Sequence, residues 1–340
     1  LRSLGMRCLL LVCAAAATTA RDASLGMLVP THSVGWQQLT CAALLAAKHA
    51  SAGDGSVVPE LGALADLDLG LLVRDTNFSH HRTITAYREL RAAGVHALVG
   101  SARSATSTTV ARLAAVDRLP QVSYWSSSPG LSDKDDFPFF ARTYPSDLAT
   151  AQGLRGLVDH YGWQRVGIVN VDDEYGTALA REVEGELKAE LPASVVVRAS
   201  FPYEDETPVA ASAYESALKA LSDAQVSVVI AIVFNNQLAP LVDAADALGM
   251  FDGRHQAAWV TTDSITEEGV HALPPATRAH VAGMLQFSSS PNATSWARFE
   301  AAFLGSAAAD CANDAFDATA AAADIFVSPV FKDAAYAYDA

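Results

Sequence analysis

"SYWSSSPGLSDKDDFPFFARTYPSD" occupies residues 123–147 and decides how the chain is organised. Four serines, Ser123, Ser126, Ser127 and Ser128, surround the aromatic pair Tyr124 and Trp125. An acidic loop follows, and then an aromatic run that closes on Pro145, Ser146 and Asp147. A buried strand has no use for so many hydroxyls, because each one taken out of water needs a partner. A binding cleft does use them. The tail of the stretch, "FFARTYPSD", is the joint at which one pattern of strands and helices stops and another begins.

Upstream of the joint, short apolar runs alternate with helical stretches. "LGMLVP" (25–30) precedes a helix over about 35–50, and "LDLGLLV" (67–73) precedes one over about 80–93. "HALVG" (96–100) precedes one over about 103–117, and "QVSYW" (121–125) follows. Downstream, a helix over 146–161 leads to "RVGIVNV" (165–171), one over 175–191 to "SVVVRASF" (194–201), and one over about 209–221 to "VSVVIAIVF" (226–234). A helix ending at Leu248 and Gly249 leads to "AAWVTTD" (257–263), and "VAGMLQFS" (281–288) has the form of a return strand. Such alternation predicts βαβ units and parallel sheets covered by helices on both faces. The expected division is a leader over 1–20, a first lobe over 21–141, a second over 142–288 and a return to the first over 289–340. Residues 305–323 are alanine-rich and weakly patterned, as in a loop or a poorly ordered insertion.

With 340 residues, 51% of them apolar and 18% charged, the chain can bury a large core in about two domains. A net charge of −15 without any Lys/Arg-rich block makes nucleic acid and anionic membrane surfaces poor partners. The first 20 residues have the form of a secretory signal: Arg2 and Arg7, the apolar run "CLLLVCAAAA" (8–17), then Thr18, Thr19 and Ala20, with a mature start near Arg21. The alternative is a buried N-terminal helix. The run is too short and alanine-rich for a membrane span. Beyond the leader stand two cysteines, Cys41 and Cys311, which form neither a disulfide scaffold nor a CxxC pair. Whether they pair with each other is open at this level. Asn77-Phe-Ser and Asn292-Ala-Thr are glycosylation acceptors suited to secretion.

No glycine-rich phosphate loop, GxSxG elbow or HExxH occurs, and no cofactor motif. His80 and His81 fit a solvated helix start; Asp172, Asp173 and Glu174 fit an exposed loop after a strand. Nothing pairs a nucleophile with a base, so no catalysis is expected. The remaining polar residues fall at strand ends, and open α/β sheets bind ligands beyond the carboxyl ends of their strands. Ser101 and Ser104 open a helix whose free N–H groups suit a carboxylate. Ser126, Ser127 and Ser128 follow a strand, Asp147 follows the joint, Tyr175 follows "VNVDDE" and Asp263 ends "AAWVTTD". Together they supply hydroxyls and N–H groups for an anion, two carboxylates for a cation and an aromatic wall, a set suited to a zwitterion such as an amino acid. Each also has a structural role open to it: Ser104 and Ser146 as helix caps, Asp147 against a helix dipole, Tyr175 as core, Asp263 as a helix initiator.

At these residues the chain resembles the type I periplasmic-binding-protein-like ligand-binding regions of class C G-protein-coupled receptors and natriuretic-type guanylate cyclase receptors. Residues 123–147, "HYGWQRVGIVNVDDEYG" (160–176) and the closing "AAYAYDA" (334–340) carry the likeness. The resemblance implies an α/β, two-lobed (Venus flytrap) fold, each lobe a parallel sheet with helices on both faces. It places Ser104, Ser127 and the backbone of Trp125, Ser126 and Ser127 on a small amino-acid-like ligand from lobe one, and Asp147, Tyr175 and Asp263 from lobe two. It further implies closure of the lobes as the signal, homo- or heterodimers formed through lobe one, no cofactor, and the extracellular face of the plasma membrane. There are departures. Gln38 is neutral where glutamate-binding relatives carry a cation, the usual N-terminal cysteine pair is missing, and further lobe-one segments are expected after Ala340. Alternatives under the same resemblance are the peptide-binding ectodomain of a guanylate cyclase receptor, a solute-binding protein serving a transporter, and a dimerisation module with a degenerate cleft.

Overall fold

A computed structural model of the chain describes residues 22–31, 35–63, 67–203, 209–252, 256–290, 292–306, 308–311 and 334–340. The expected leader and residues 312–323 of the alanine-rich stretch lie outside them. The chain divides into two compact units. One is Leu1–Ser127, Leu131–Pro145 and Ser290–Ala340; the other is Ser128–Gly130 and Ser146–Ser289.

In the first unit the strands are β1 (Asp22–Val29), β2 (Asp68–Asp75), β3 (Ala97–Val99), β4 (Gln121–Ser123) and β5 (Phe140–Arg142), in the order β2-β1-β3-β4-β5 with every neighbouring pair parallel. Side chains alternate across a strand, and the core follows that alternation. Met27 and Val29 pack towards helix α1 (Trp36–Ala52), while Leu28 packs among residues of α2 (His80–Ala92) and α3 (Ser104–Asp117). Helix α1 stops at Gly53, whose φ of 63° places it in the left-handed region where glycine ends helices without strain. The α1 face is completed by sequence-distant residues. These are Phe299 and Phe303 of the helix Ala293–Leu304, and Tyr336 and Tyr338 of the helix Ala334–Asp339. A disulfide joins Cys41 on α1 to Cys311, both fully buried, which settles their pairing.

The second unit repeats the topology. Helix α4 (Asp147–Tyr161) leads into β6 (Arg165–Asp172), followed by α5 (Glu174–Glu190), β7 (Val195–Pro202), α6 (Ala211–Asp223), β8 (Val228–Ile232), α7 (Asn235–Ala247) and β9 (Ala258–Thr262). Two short helices, Glu267–His271 and Pro275–Val281, precede β10 (Leu285–Phe287). The order is β10-β9-β8-β6-β7, again all parallel. Val166, Ile168, Val228, Ile230 and Val260 pack with α4 and α5; Val169, Val171, Val229, Ala231 and Trp259 pack with α6 and α7.

Three elements differ from the sequence expectation. The joint contains a strand of its own, β5, too short for any periodicity to show. The run at 281–288 holds only the three-residue β10, an edge strand of the second sheet pairing with β9. "QVSYW" stops being a strand at Ser123; beyond it the Tyr124 hydroxyl lies in the core and donates to the Leu28 carbonyl at 3.0 Å.

Candidate functional site: the carboxyl ends of both sheets

In the first unit the strand ends of β3 and β4 meet in a knot of hydroxyls. The Ser101 carbonyl accepts from Ser107 Oγ at 2.9 Å and from Ser123 Oγ at 2.7 Å. Ser126 Oγ donates to Ser107 Oγ at 2.8 Å and lies 3.2 Å from the Ala102 carbonyl. The Ser126 amide in turn donates to Ser123 Oγ at 3.0 Å. Ser101 and Thr106 share a further short hydroxyl contact. All of these groups are buried, and burial is tolerable because each finds a partner. Ser123 and Ser126 therefore spend their hydroxyls holding two strand ends together. Ser127, next in sequence and 5% exposed, takes no part in that network. Ser104 is buried as the first residue of α3, which begins without a side-chain cap from Arg103. Arg103 itself lies over the Phe78 ring, 4.2 Å from its centroid, and Trp125 is half-buried against the core.

Sequence reasoning missed Arg142. It sits opposite Ser123 in the β4–β5 register, and its Nη1 donates to the Ser126 carbonyl at 3.4 Å. The only signal for it was the strand character of "FFAR", which three residues cannot display.

In the second unit the ends of β6, β8 and β9 surround Tyr175. Asp173 caps α5, its Oδ1 accepting from the Gly176 amide at 2.7 Å. That cap turns Tyr175 inward, to 6% exposure. The Tyr175 hydroxyl meets Thr262 Oγ1 at 2.8 Å and donates to Ser264 Oγ at 3.2 Å. Its ring tilts against Phe234, 5.5 Å between centroids. Burial, then the charges of Asp263 and Asp147, push its phenol pKa far above the ordinary value. The two carboxylates named from sequence thus converge on one buried phenol. Asp147 is buried in the first turn of α4, and half-buried Asp263 accepts from Ser289 Oγ at 3.4 Å.

The other polar motifs resolve into local structure. His81 Nδ1 lies 2.9 Å from Ser79 Oγ and His80 Nδ1 3.1 Å from Thr109 Oγ1. Asp172 accepts from Thr177 Oγ1 at 2.9 Å, and Glu174 accepts from Ser128 Oγ at 3.1 Å. Among the described residues no group of three His, Cys, Asp or Glu side chains is placed to hold a metal ion. No described helix is long and apolar enough to cross a membrane. Gln38 is buried on α1. Asn77 is half-buried in the turn after β2, and exposed Asn292 caps its helix, its Oδ1 accepting from the Thr294 and Ser295 amides.

Residues 60–338 match the family described as "Receptor family ligand binding region". The chain belongs to that family. Its fold is accordingly the two-lobed, periplasmic-binding-protein-type α/β fold, with five parallel strands in each sheet. This receptor ligand-binding region is 42% identical over 80 residues to the human extracellular calcium-sensing receptor, across 24% of this chain and 7% of that protein. It is 40% identical over 82 residues to human G-protein coupled receptor family C group 6 member A, across 24% of this chain and 9% of the relative. It is 33% identical over 98 residues to human metabotropic glutamate receptor 8, across 27% and 11%. The aligned segment is therefore a small part of each of these longer receptors.

Proposed function

We propose that this receptor ligand-binding region senses a small, neutral amino-acid-like ligand on the extracellular side of a membrane, as part of a receptor of the class C G-protein-coupled type. The observation that carries the reading is the opposed chemistry of the two sets of strand ends. The first unit sets hydroxyls, the start of α3 and Arg142 where an anion is favoured. The second sets Asp147 and Asp263 about Tyr175. A zwitterion uses both sets, its carboxylate on Ser104, Ser127 and the backbone of Trp125 and Ser126, its ammonium on Asp147 or Asp263. Engagement of both units favours a closed pair of lobes, which is how binding becomes a signal. Gln38 offers no cation for a distal carboxylate, and burying such a charge unpaired is expensive; glutamate is for that reason a poor ligand. Dimerisation through the first unit and glycosylation at Asn77 and Asn292 belong to the same proposal.

Calorimetry with a panel of amino acids and their decarboxylated relatives tests it. A neutral amino acid is expected to bind tightest; glutamate binding tighter than every neutral member sinks the assignment. Hydrogen bonds to charged groups contribute about 1.5–3 kcal/mol. Ser127→Ala is therefore expected to weaken the best ligand roughly ten- to a hundred-fold. Unchanged affinity removes Ser127 from the site.

A further inference from the structure

Ser126 is tied down through each of its polar groups. Its amide donates to Ser123 Oγ at 3.0 Å, its hydroxyl donates to Ser107 Oγ at 2.8 Å, and its carbonyl accepts from Arg142 Nη1 at 3.4 Å. The other arm of the Arg142 guanidinium reaches Ser132 Oγ, at an exposed position. Arg142 is the last residue of β5, which pairs with β4 immediately before the serine loop. The next residue, Thr143, donates from its amide to the Ser123 carbonyl at 3.0 Å. The guanidinium is therefore carried on a strand that is itself fixed to the start of the loop. Its planar fork serves two acceptors in one geometry, which an ammonium on a flexible stem does not.

The direction of the Ser126 carbonyl sets that of the next amide. The Ser126–Ser127 peptide is trans, and in a planar trans peptide the C=O and N–H point opposite ways. With the carbonyl turned towards the guanidinium, the Ser127 N–H is turned away from it. A positive charge behind the carbonyl also polarises the peptide and makes that N–H a stronger donor. Ser127 has the surface to use it: Ser123, Ser126 and Ser128 are 0% exposed, and Ser127 is 5% exposed. Among the described residues neither its amide nor its hydroxyl has a hydrogen-bond partner.

We propose that Arg142 is a positioning residue for ligand binding. It does not touch the ligand; it fixes the Ser126–Ser127 peptide so that the Ser127 N–H meets the ligand's carboxylate. This rests on one half of the reading above, the carboxylate site of the first unit.

Acetate is the probe, a carboxylate without an ammonium group. It is titrated at constant ionic strength into the 340-residue chain while backbone amide and carbonyl resonances are followed by NMR. The Ser127 amide proton is expected to move downfield and to saturate. Arg142→Gln is expected to weaken acetate roughly tenfold, the worth of a hydrogen bond to a charged group, and to shift the Ser126 carbonyl resonance before any acetate is added. Arg142→Lys keeps the charge and loses the fork, and is expected to behave like Arg142→Gln. Ser132→Ala frees one arm of the guanidinium from a surface position and is expected to weaken acetate roughly two- to threefold; it carries the test if Arg142→Gln misfolds. The proposal is overturned if the Ser127 amide ignores acetate, if folded Arg142→Gln binds acetate undiminished, or if Arg142→Lys restores full affinity. With Arg142→Gln misfolded, unchanged affinity in Ser132→Ala overturns it equally. Failure of every neutral amino acid to bind, with the acetate results as expected, sinks the ligand assignment and leaves the role of Arg142 standing.

Discussion

The two sheets share one strand order and differ in what stands beyond their strand ends. In each, the first strand is central, the second lies to one side, and the third, fourth and fifth lie to the other. The backbone rules of parallel sheets are satisfied twice by the same solution. Beyond β3 and β4 the chain places serines and threonines that bond to backbone and to one another. Beyond β9 it places Asp263, and in the first turn of α4 Asp147, near the buried phenol of Tyr175. The shared strand order belongs to the scaffold; the side chains beyond the strand ends differ between the two sheets.

The largest expected effects fall on two glycines, one in each unit. A Cβ at Gly100, after β3, would lie 2.4 Å from the Leu28 carbonyl oxygen, at a φ of +107°. One at Gly176, after β6, would lie 2.1 Å from the Val171 carbonyl oxygen. Neither backbone can yield cheaply, so Gly100→Ala and Gly176→Ala are each expected to lose about 3 kcal/mol or more in urea unfolding. A loss well below that at either glycine would show that the backbone there yields more cheaply than its close contact implies.

Next comes the pair of adjacent serines. Ser126→Ala removes a buried hydroxyl with several partners and is expected to destabilise by about 1–3 kcal/mol. Ser127→Ala is expected to change stability by less than about 0.5 kcal/mol. Equal losses in chemical unfolding would show that the two adjacent hydroxyls do the same structural work. For the second unit the matching change is Tyr175→Phe. Thr262 and Ser264 remain bonded to each other at 2.9 Å, and Ser264 to the Val233 carbonyl at 2.7 Å. The expected cost is therefore only about 1 kcal/mol. A loss several times larger would make Tyr175 a linchpin of folding.

The smallest effect is a pH dependence confined to the first unit. His49 is buried at the end of α1, with Nδ1 2.6 Å from the Tyr338 hydroxyl. Burial lowers its pKa, partly offset by Asp54. Below the unfolded value of about 6.5 the unfolded chain binds the proton more readily, so stability falls as pH drops from about 6.5 towards the lowered folded value. His49→Gln is expected to flatten that slope in thermal melts recorded across the window. A slope of the same size in the variant would assign it to other groups.

Much of the scaffold was legible before any coordinates, because alternation of apolar runs with helical stretches reports burial, and burial is a local property of sequence. Helices α3 and α5 fall within a residue or two of where periodicity puts them. The candidate residues were legible as types at strand ends. Their work was not. Ser126 and Ser127 are the same residue type side by side, and only the position of Ser107 and the Ser101 carbonyl, about twenty residues upstream, separates them. The sequence leaves Tyr175 open as cleft wall or as core; it is buried, in the first turn of the helix that Asp173 caps.

The sequence by itself determined the α/β class, the two runs of strands with a joint in "FFARTYPSD" (139–147), and the presence of hydroxyls and carboxylates at strand ends. Tertiary structure alone decided that Cys41 meets Cys311 across a separation of 270 residues, and that Arg142 lies beside Ser126. The physical reason is register and return. A three-residue strand such as β5 carries no period by which to read its partner. A side chain's hydrogen bonds are fixed by segments that arrive from far along the chain, and nothing in the local pattern of apolar and polar residues records which segments those will be.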